Sequence, residues 1–301
     1  MFKSECSHVE EFLTIIQEFY RKINYSPSKE IVLFRGQSAD KPLLPKYART
    51  VMSLFDEDLI KEEEILMVER DILMEFKRRA GWLVEKAPTT DWDWLGLAQH
   101  HGMETRLLDW TENPLVALYF AFENRNFGDQ HDNVIWLLRV PKNQIVISST
   151  ASHPFAVERT KVFRPTIVSP RMPAQSGWFT IHPYLNKKHK FISLDTNLAY
   201  QDSLGKLRIP LSSAAVIKFL SRVGINALSL FPDLDGLCKY VNRGTEFSAS
   251  DWEFAQHPQR KGETPPLSPW QEAAKILKVK PRKFKFRFKG GGLVKTPPKP
   301  G

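Results

Sequence analysis

Apolar and polar residues alternate along the chain with periods that predict both helices and strands. Residues 9–24 carry apolar side chains at helical spacing, which predicts a first amphipathic helix. Residues 31–36, IVLFRG, form a short apolar run that predicts a buried strand with Arg35 near its end. Residues 57–86 show a long charged helical pattern. The first third of the chain therefore predicts at least one buried strand together with several helices.

A second group of elements is predicted around the stretch LAQHHGMETRLLDWTEN. DWDWLGLAQHHG predicts a helix with Asp91 as its N-cap and Gly102 as its stop. TRLLDW predicts a strand, and Thr111 is a suitable N-cap for the next helix, with Pro114 in its first turn. That helix, NPLVALYFAFEN, is apolar on nearly all sides, so we expect it to be buried.

The second half of the chain continues this mixture of elements. Strands are predicted at NVIWLLRVP, QIVIS, WFTIH, FISLD and KLRIPL, and a helix with a serine cap over 212–224. The fold class is therefore predicted as mixed α+β, a single globular domain with a central mixed sheet flanked by helices. We expect an N-terminal helix that packs on the domain (1–29), the domain itself (30–245), and a Pro- and Lys-rich linker with a basic tail (246–301).

Composition narrows the class of protein. The apolar fraction of 42% is ordinary for a globular domain, and no apolar run approaches the roughly 18–20 residues that span a bilayer. The first residues are polar and acidic, unlike a signal peptide. Cys6 and Cys238 are far apart, which suits a reducing compartment and gives no disulfide framework. We therefore expect a soluble cytoplasmic protein without a membrane partner.

The net charge of +9 is concentrated at the C-terminal end, because residues 278–301 contain only basic charges. Within this tail, basic and aromatic side chains alternate strictly over Lys283, Phe284, Lys285, Phe286, Arg287, Phe288 and Lys289. Cations neutralise phosphates and aromatic rings stack on bases, so the tail is a candidate nucleic-acid contact. The alternatives are a solvated tail or a strand whose lysines discourage aggregation at a sheet edge.

Arg35 and Gly36 form the first candidate site. A guanidinium at the end of a buried strand is costly unless a carboxylate or a phosphate pairs with it. Gly36 would allow the close approach of a ligand or of another backbone. Two interpretations stay open, a structural Arg–Asp pair within the core and an anion-binding site.

A second cluster consists of His100, His101, Arg106, Asp109 and Thr111. Adjacent helical positions point about 100° apart, so the two histidines cannot face one site equally. Residues three apart on a strand lie on opposite faces, whereas Asp109 and Thr111 share a face near a helix start, where backbone N–H groups could bind an anion. The alternative is that these residues cap helices or belong to the core.

Two later segments add polar residues. Gln175 and Gly177 precede the strand at WFTIH, and an amide at this point suits a ribose or an amide ligand. LFPDLDGL contains Asp233 and Asp235, but the spacing lacks the further ligands of a calcium loop. It favours a turn with a helix cap, or a carboxylate partner for a buried arginine. No metal site is expected anywhere in the sequence.

Four stretches together resemble the FRG domain, a family named after its Phe/Tyr-Arg-Gly motif. They are FRGQ (34–37), LAQHHGMETRLLDWTENPLVALYFA (97–121), RMPAQSGWFTIH (171–182) and LSLFPDLDGL (228–237). The resemblance covers about residues 30–240, and the long central stretch is highly specific.

The order of these motifs also resembles, more distantly, the layout of ADP-ribosyltransferases. The resemblance implies that Arg35 binds the diphosphate of NAD, that Thr111 with Asp109 supports the nicotinamide ribose, and that Gln175 orients the acceptor or the reacting centre. Two positions depart from the pattern, because Trp110 replaces the usual serine and Gln175 replaces the usual glutamate. Another carboxylate would then have to stabilise the developing positive charge.

On this basis the predicted catalytic residues are Arg35, Asp109, Thr111 and Gln175, with Asp233 as a second candidate carboxylate. The predicted cofactor contacts are Arg35, Gly36, His100, His101 and Arg106. Three functions remain open: an NAD-using toxin or anti-phage effector that modifies a nucleic acid or protein, a non-catalytic module for phosphate ligands or nucleic acid, and a metal-independent nuclease. The first would be compatible with a cognate antitoxin.

Overall fold

The computed structural model describes residues 2–6, 8–54, 61–123, 132–148, 151–167, 171–185, 190–211, 213–242, 287–289 and 292–294. The chain divides into two compact units, Met1–Leu237 and Cys238–Gly301. The first unit contains the main sheet and both cavities described below.

Helices form at the stretches where the apolar pattern predicts them, although the pattern of 57–86 gives a helix only over Glu62–Ala80 within the described residues. Three further helices of these residues were not predicted. The helices are α1 (Glu11–Lys22), α2 (Lys46–Leu54), α3 (Glu62–Ala80), α4 (Asp91–His100), α5 (Pro114–Phe122), α6 (Arg171–Ala174), α7 (Ser213–Arg222) and α8 (Ala227–Leu230), with a further helical stretch over 234–242. Helix α1 buries Phe12, Ile15, Ile16 and Phe19, as its 3.6-residue apolar spacing requires.

The strands are interspersed with the helices along the chain. They are β1 (Phe2–Glu5), β2 (Glu30–Gln37), β3 (Leu107–Thr111), β4 (Asn133–Pro141), β5 (Ile145–Val146), β6 (Lys161–Phe163), β7 (Gly177–Ile181), β8 (Tyr184–Leu185), β9 (Lys190–Phe191), β10 (Leu204–Ile209), β11 (Arg287–Lys289) and β12 (Gly292–Val294). Eight of them form one sheet in the order β1-β10-β4-β2-β3-β7-β6-β5. The β1–β10 and β5–β6 pairs are parallel and the others antiparallel, which confirms the mixed α+β class.

Strand β2 is paired along its whole length on one side but at a single position on the other. Strands β2 and β4 pair along all eight residues of β2. Strands β2 and β3 share one register pair, Phe34 with Thr111. Beyond that pair the two strands separate, so Arg35 and Gly36 do not pair with β3. This separation opens the main cavity of the first unit.

The two faces of the sheet pack into different apolar clusters. Leu108 and Trp110 of β3 pack with Trp136 and Trp178 on one face. Leu107 packs on the other face in a second cluster, which includes Phe179. Because successive strand residues point to opposite faces, the register of β3 determines which of its side chains reach the cavity.

Two predicted helix caps are corrected by the structure. The N-cap of α4 is Thr90, whose hydroxyl accepts the N–H of Asp93, and Asp91 is the first helical residue. The N-cap of α5 is Asn113 rather than Thr111, because the Asn113 side chain accepts the Leu115 N–H at 2.9 Å. In both cases the residue immediately before the helix has the extended backbone that a side-chain cap requires.

Two predicted strands are shorter than the apolar pattern suggested. QIVIS yields only the two-residue strand β5, and FISLD only β9, which pairs with β8 outside the main sheet. After β9 the chain turns, and the Asp195 carboxylate accepts the main-chain N–H of Leu43 at 2.7 Å. The Asp195 side chain therefore provides the hydrogen-bond acceptor for this backbone N–H group.

The second unit contains the antiparallel pair β11 and β12, with Arg287 opposite Val294 and Phe288 opposite Leu293. The strand predicted from the alternating tail thus exists over Arg287–Lys289. Residues 283–286 of that motif lie outside the described residues.

Candidate active site

A cavity of about 350 Å³ lies where β2 and β3 separate. Its size falls within the range of small-molecule sites. Strand β2 contributes Arg35 and Gly36, and β3 contributes Asp109 and Thr111. Gln175, which follows α6, closes the same cavity. The structure thus brings together all four predicted catalytic residues, although they are spread over 140 positions of the chain.

Arg35 crosses the gap between the strands. Its Nη1 donates to the main-chain oxygen of Asp109 at 2.8 Å and lies 3.6 Å from Oδ2 of the same residue. Burial lowers the pKa of the guanidinium, and the Asp109 carboxylate opposes that effect. The buried Nε has no hydrogen-bond partner among the described residues. Because an unsatisfied charged donor is costly, Arg35 retains capacity for a further acceptor.

A hydrogen bond from the side-chain amide of Gln99 orients the carboxylate of Asp109. Gln99 Nε2 donates to Asp109 Oδ2 at 2.9 Å, and the Gln99 oxygen accepts the hydroxyl of Thr105 at 2.6 Å. The Asp109 side chain is 54% exposed, so it faces the open part of the cavity. This arrangement supplies a carboxylate whose orientation is fixed while one face stays accessible. Gln99 was not predicted, because nothing in its spacing distinguishes it from other polar residues of α4.

Gly36 lines the cavity, but its contacts explain the glycine by packing. A Cβ at this position would lie 1.9 Å from the Ala117 carbonyl oxygen and 2.6 Å from the Ala121 nitrogen. The helix α5 therefore rests directly on the backbone of β2. Of the two interpretations of Gly36, close approach by another backbone is the one observed.

Thr111 and Gln175 are linked to each other and to the surrounding backbone. The Thr111 hydroxyl donates to the Gln175 carbonyl at 2.7 Å and accepts the Asn113 N–H at 3.1 Å. The Gln175 amide donates to the Leu230 carbonyl at 3.2 Å. Both side chains thus stabilise the walls of the cavity where β3, α6 and α8 meet.

A second arginine, Arg171, also forms part of the cavity wall. Its Nε donates to Asp233 Oδ2, and its guanidinium lies 5.4 Å from the centre of the Phe231 ring. Asp233 therefore has both roles predicted for LFPDLDGL: it is a carboxylate partner for an arginine, and it accepts the Gly236 N–H at 2.9 Å where the helical stretch 234–242 begins. The pKa of Asp233 is lowered, first by its hydrogen bond from Arg171 and then by the Gly236 N–H. Phe231 also contacts Phe120 edge-on at 6.1 Å, so this wall is largely aromatic.

The two adjacent histidines have different environments. His100 lines the cavity, and burial, together with the charges of His101 and Arg171, lowers its pKa to about 4. His101 is exposed and does not line the cavity. His100 is consequently neutral near pH 7, able to accept a proton but not to donate one as an imidazolium. The structure does not bring His101 to the predicted cofactor site.

Arg106, also predicted as a cofactor contact, lies in the core rather than in the cavity. It is 1% exposed and forms a two-pronged ion pair with Glu69, with Nε 2.9 Å from Oε1. Its guanidinium lies 5.2 Å from the centre of the Phe155 ring and 5.6 Å from that of Phe191. These contacts satisfy the guanidinium within the protein.

A buried hydrogen-bonded chain supports one cavity wall. Trp110 Nε1 donates to the Thr180 hydroxyl at 3.0 Å, and that oxygen lies 2.9 Å from His182 Nε2. His182 is fully buried, and burial with the charges of Arg35 and Arg106 lowers its pKa to about 3. A neutral imidazole thus fixes Thr180 and, through it, the indole of Trp110, which lines the cavity.

The described residues also bear on metal ligation and on membrane insertion. Within the described ranges, no group of three His, Cys, Asp or Glu side chains could bind a metal ion. The helices of the same residues include none that is both long and apolar enough to cross a bilayer.

Comparison with known proteins identifies one family. The model of the FRG domain matches residues 30–130, which include Arg35, Asp109 and Thr111. Gln175 and the wall around Arg171 lie beyond the matched residues. No curated protein and no solved structure matches the chain.

Proposed function

Given that the chain contains an FRG domain at residues 30–130, we propose that its cavity binds NAD⁺ and transfers ADP-ribose to an acceptor. The proposal rests chiefly on one observation: Arg35, Asp109, Thr111 and Gln175, assigned to these roles from distant parts of the sequence, line one cavity.

The charges of the cavity suit a ligand that carries both signs. Arg35 and Arg171 provide cations, and Asp109 and Glu123 provide carboxylates on other parts of the wall. NAD⁺ combines a negatively charged diphosphate with a positively charged pyridinium ring. We expect the diphosphate near Arg35, which lines the cavity and whose planar guanidinium matches phosphate geometry. The nicotinamide would contact aromatic rings such as Phe120 and Phe231.

The reaction breaks the bond between ribose C1′ and the nicotinamide nitrogen. The electron pair leaves with nicotinamide, which becomes neutral, and the ribose develops oxocarbenium character. An acceptor nucleophile then forms a bond to C1′ and loses its proton. Asp109 is placed to stabilise the positive charge, since its carboxylate is oriented by Gln99 and half-exposed to the cavity. Neutral His100 or Asp109 takes the proton.

Thr111 and Gln175 act as positioning residues in this scheme. Their hydrogen bonds join β3 to the backbone around α6 and α8, so they determine the width of the cavity. The proposed class of acceptor is a nucleic acid or a protein, and the basic tail is the proposed contact for a nucleic acid. Modification of an essential macromolecule would make the protein a toxin or a defence effector and would call for an antitoxin.

Transfer of label from ³²P-NAD⁺ tests the proposal. RNA, DNA and cell extract are offered separately to the wild-type chain, to Asp109→Asn, and to Asp202→Asn as an exposed control outside the cavity. We expect one macromolecule to be labelled, and Asp109→Asn to lower the rate about 100-fold, as for loss of a transition-state charge contact. Equal rates in all three proteins, or no labelling by a folded wild type, would contradict the proposal.

A second candidate is a binding module for phosphate ligands without turnover. It is favoured by the hydrogen bonds that engage the Thr111 hydroxyl and the Gln175 amide within the protein. NAD⁺ binding that depends on Arg35 but produces no nicotinamide would support it. A nuclease is less well supported, because only His100 of the histidine pair lines the cavity and it cannot serve as the acid near pH 7.

A further inference from the structure

A second cavity, of about 130 Å³, lies apart from the proposed active site and shares no lining residue with it. Its walls come from the end of β4, from residues 159–162 at β6, from Thr180 of β7 and from Tyr200 and Ser203 before β10. The volume is less than half that of the first cavity, which suits a small polar ligand rather than a nucleoside.

The lining of this cavity is strongly biased in charge. Arg139, Arg159 and Lys161 line it, and the lining includes no carboxylate. Arg139 is neutralised by the buried carboxylate of Glu30. Arg159 and Lys161 form no ion pair with any other described residue. Exposed Arg159 and partly buried Lys161 thus place two positive charges at the border of this cavity, without a counter-ion among the described residues.

Neutral polar groups complete the lining. The Tyr200 hydroxyl donates to the Thr160 carbonyl at 2.7 Å, which fixes the ring beside the segment that carries both cations. Burial raises the pKa of Tyr200, and its hydrogen bond with Thr160 and the charge of Arg159 oppose this effect. Gln144 and Ser203 add further donors at the edge.

We propose that this cavity binds a phosphate group, either as inorganic phosphate or as the terminal group of a phosphomonoester. A phosphate offers several strong acceptor oxygens to donors that converge from Arg159, Lys161 and Ser203. Its negative charge removes the repulsion between the two cations, which are close neighbours at the start of β6. The inference is independent of the proposed ADP-ribosyl transfer, because it uses none of the same residues.

One hydrogen bond links a side chain that lines the second cavity to a side chain that lines the first. Thr180, in the lining of the second cavity, accepts from the indole of Trp110, in the lining of the first. Trp178, two residues before Thr180 on β7, also lines the first cavity. A phosphate in the second cavity would therefore stabilise the strand that bears one wall of the proposed active site.

Titration of the full-length protein with inorganic phosphate, followed by ³¹P NMR line broadening, tests the site. The variants are Arg159→Gln, Lys161→Gln and, as a nearby exposed lysine outside the lining, Lys142→Gln. Arg35→Ala reports whether phosphate binds the other cavity instead. Each lining variant is expected to weaken binding about tenfold, as for loss of one charge-assisted hydrogen bond, while Lys142→Gln binds like wild type.

The same titration with ribose 5-phosphate distinguishes the two sources of the phosphate group. Tighter binding of the sugar phosphate, lost in Arg159→Gln, would assign a phosphomonoester, and equal or weaker binding would assign the free ion. Absence of phosphate binding by the folded wild type would overturn the proposal. So would binding that Arg35→Ala abolishes and that both lining variants retain. Thermal unfolding of each variant establishes that it is folded.

Discussion

The Arg35 guanidinium donates to the main-chain carbonyl of Asp109 at 2.8 Å, across the gap where β2 and β3 no longer pair. A side chain thus takes over part of the backbone hydrogen bonding at the opening of the sheet. The same contact places the arginine 3.6 Å from the Asp109 carboxylate. Arg35 and Asp109 therefore meet at the point where the two strands separate and the cavity opens.

Replacement of Gly36 by alanine is expected to destabilise the fold. The added Cβ would lie 1.9 Å from the Ala117 carbonyl oxygen, and a backbone atom of a packed helix cannot move aside easily. We expect the free energy of unfolding in urea to fall by at least about 3 kcal/mol, the upper end for an overpacked site. Gly81→Ala is the control, because its Cβ would meet only Lys77 O at 3.6 Å. An equal effect of the two substitutions would contradict the packing account.

Removal of Arg106 should affect stability rather than ligand binding. Arg106→Met leaves the buried carboxylate of Glu69 without its partner, which costs about 3–5 kcal/mol of unfolding free energy. In the double variant Arg106→Met/Glu69→Leu, much of that loss should be recovered, since no unpaired charge remains. NAD⁺ affinity of the folded protein should stay within about twofold of wild type, since Arg106 does not line the cavity. A large loss of affinity at unchanged stability would restore its predicted role as a cofactor contact.

Stability is expected to decrease in weakly acidic solution. Burial lowers the pKa of His100 to about 4 and of His182 to about 3, against an ordinary value of 6.5. As the pH falls, these histidines therefore bind protons in the unfolded chain before they do so in the folded one. The stabilisation is complete above about pH 6.5 and is lost as the pH falls towards the pKa values of the folded state. Unfolding free energies of wild type and His100→Gln, measured from pH 7.5 to 4.5, should converge at the acidic end.

Gln17→Leu, at an exposed position of α1 that carries no titratable group, serves as the control for this pH dependence. Its profile should run parallel to that of wild type over the whole interval. A profile of His100→Gln that runs parallel to wild type at all pH values would show that His100 is not the group responsible.

The contact between Gln99 and Asp109 predicts a separation of kinetic effects. Gln99→Leu removes the donor that orients the Asp109 carboxylate, without removing any charge from the cavity. We expect kcat for ADP-ribosyl transfer to fall about tenfold, as for loss of one hydrogen bond to a charged group, while KM changes little. Gln17→Leu, at an exposed position of α1 outside both cavities, should leave both constants unchanged. A rise of KM at constant kcat would indicate that Gln99 binds the substrate instead.

The sequence was sufficient to predict most elements that build the active-site cavity. The apolar run before Arg35 and the nearly continuous apolar run of α5 are local signals, and local signals predict strands and buried helices well. Asp109 and Thr111 could be assigned to one face because strand periodicity is fixed. The helix caps were less predictable, because Thr90 and Asn113 lie one or two residues from the equally suitable Asp91 and Thr111.

Contacts between distant segments could not be predicted in the same way. Glu69 belongs to a charged helical pattern typical of a solvated surface, and only the packing of α3 on the core makes it the partner of Arg106. Likewise, Arg171 and Phe231 meet because α6 and the segment after α8 lie side by side in space. No periodicity within either segment specifies that contact.

Isothermal titration with NAD⁺ tests the central claim, that the cavity between β2 and β3 is a nucleotide site organised by Arg35. We compare wild type, Arg35→Ala, and Arg35→Lys, which keeps the charge but loses the planar fork. The account predicts measurable binding by wild type, a loss of about 10- to 100-fold in Arg35→Ala, and an intermediate affinity in Arg35→Lys. NAD⁺ affinity that is identical in the three folded proteins, or absent from all of them, would contradict it.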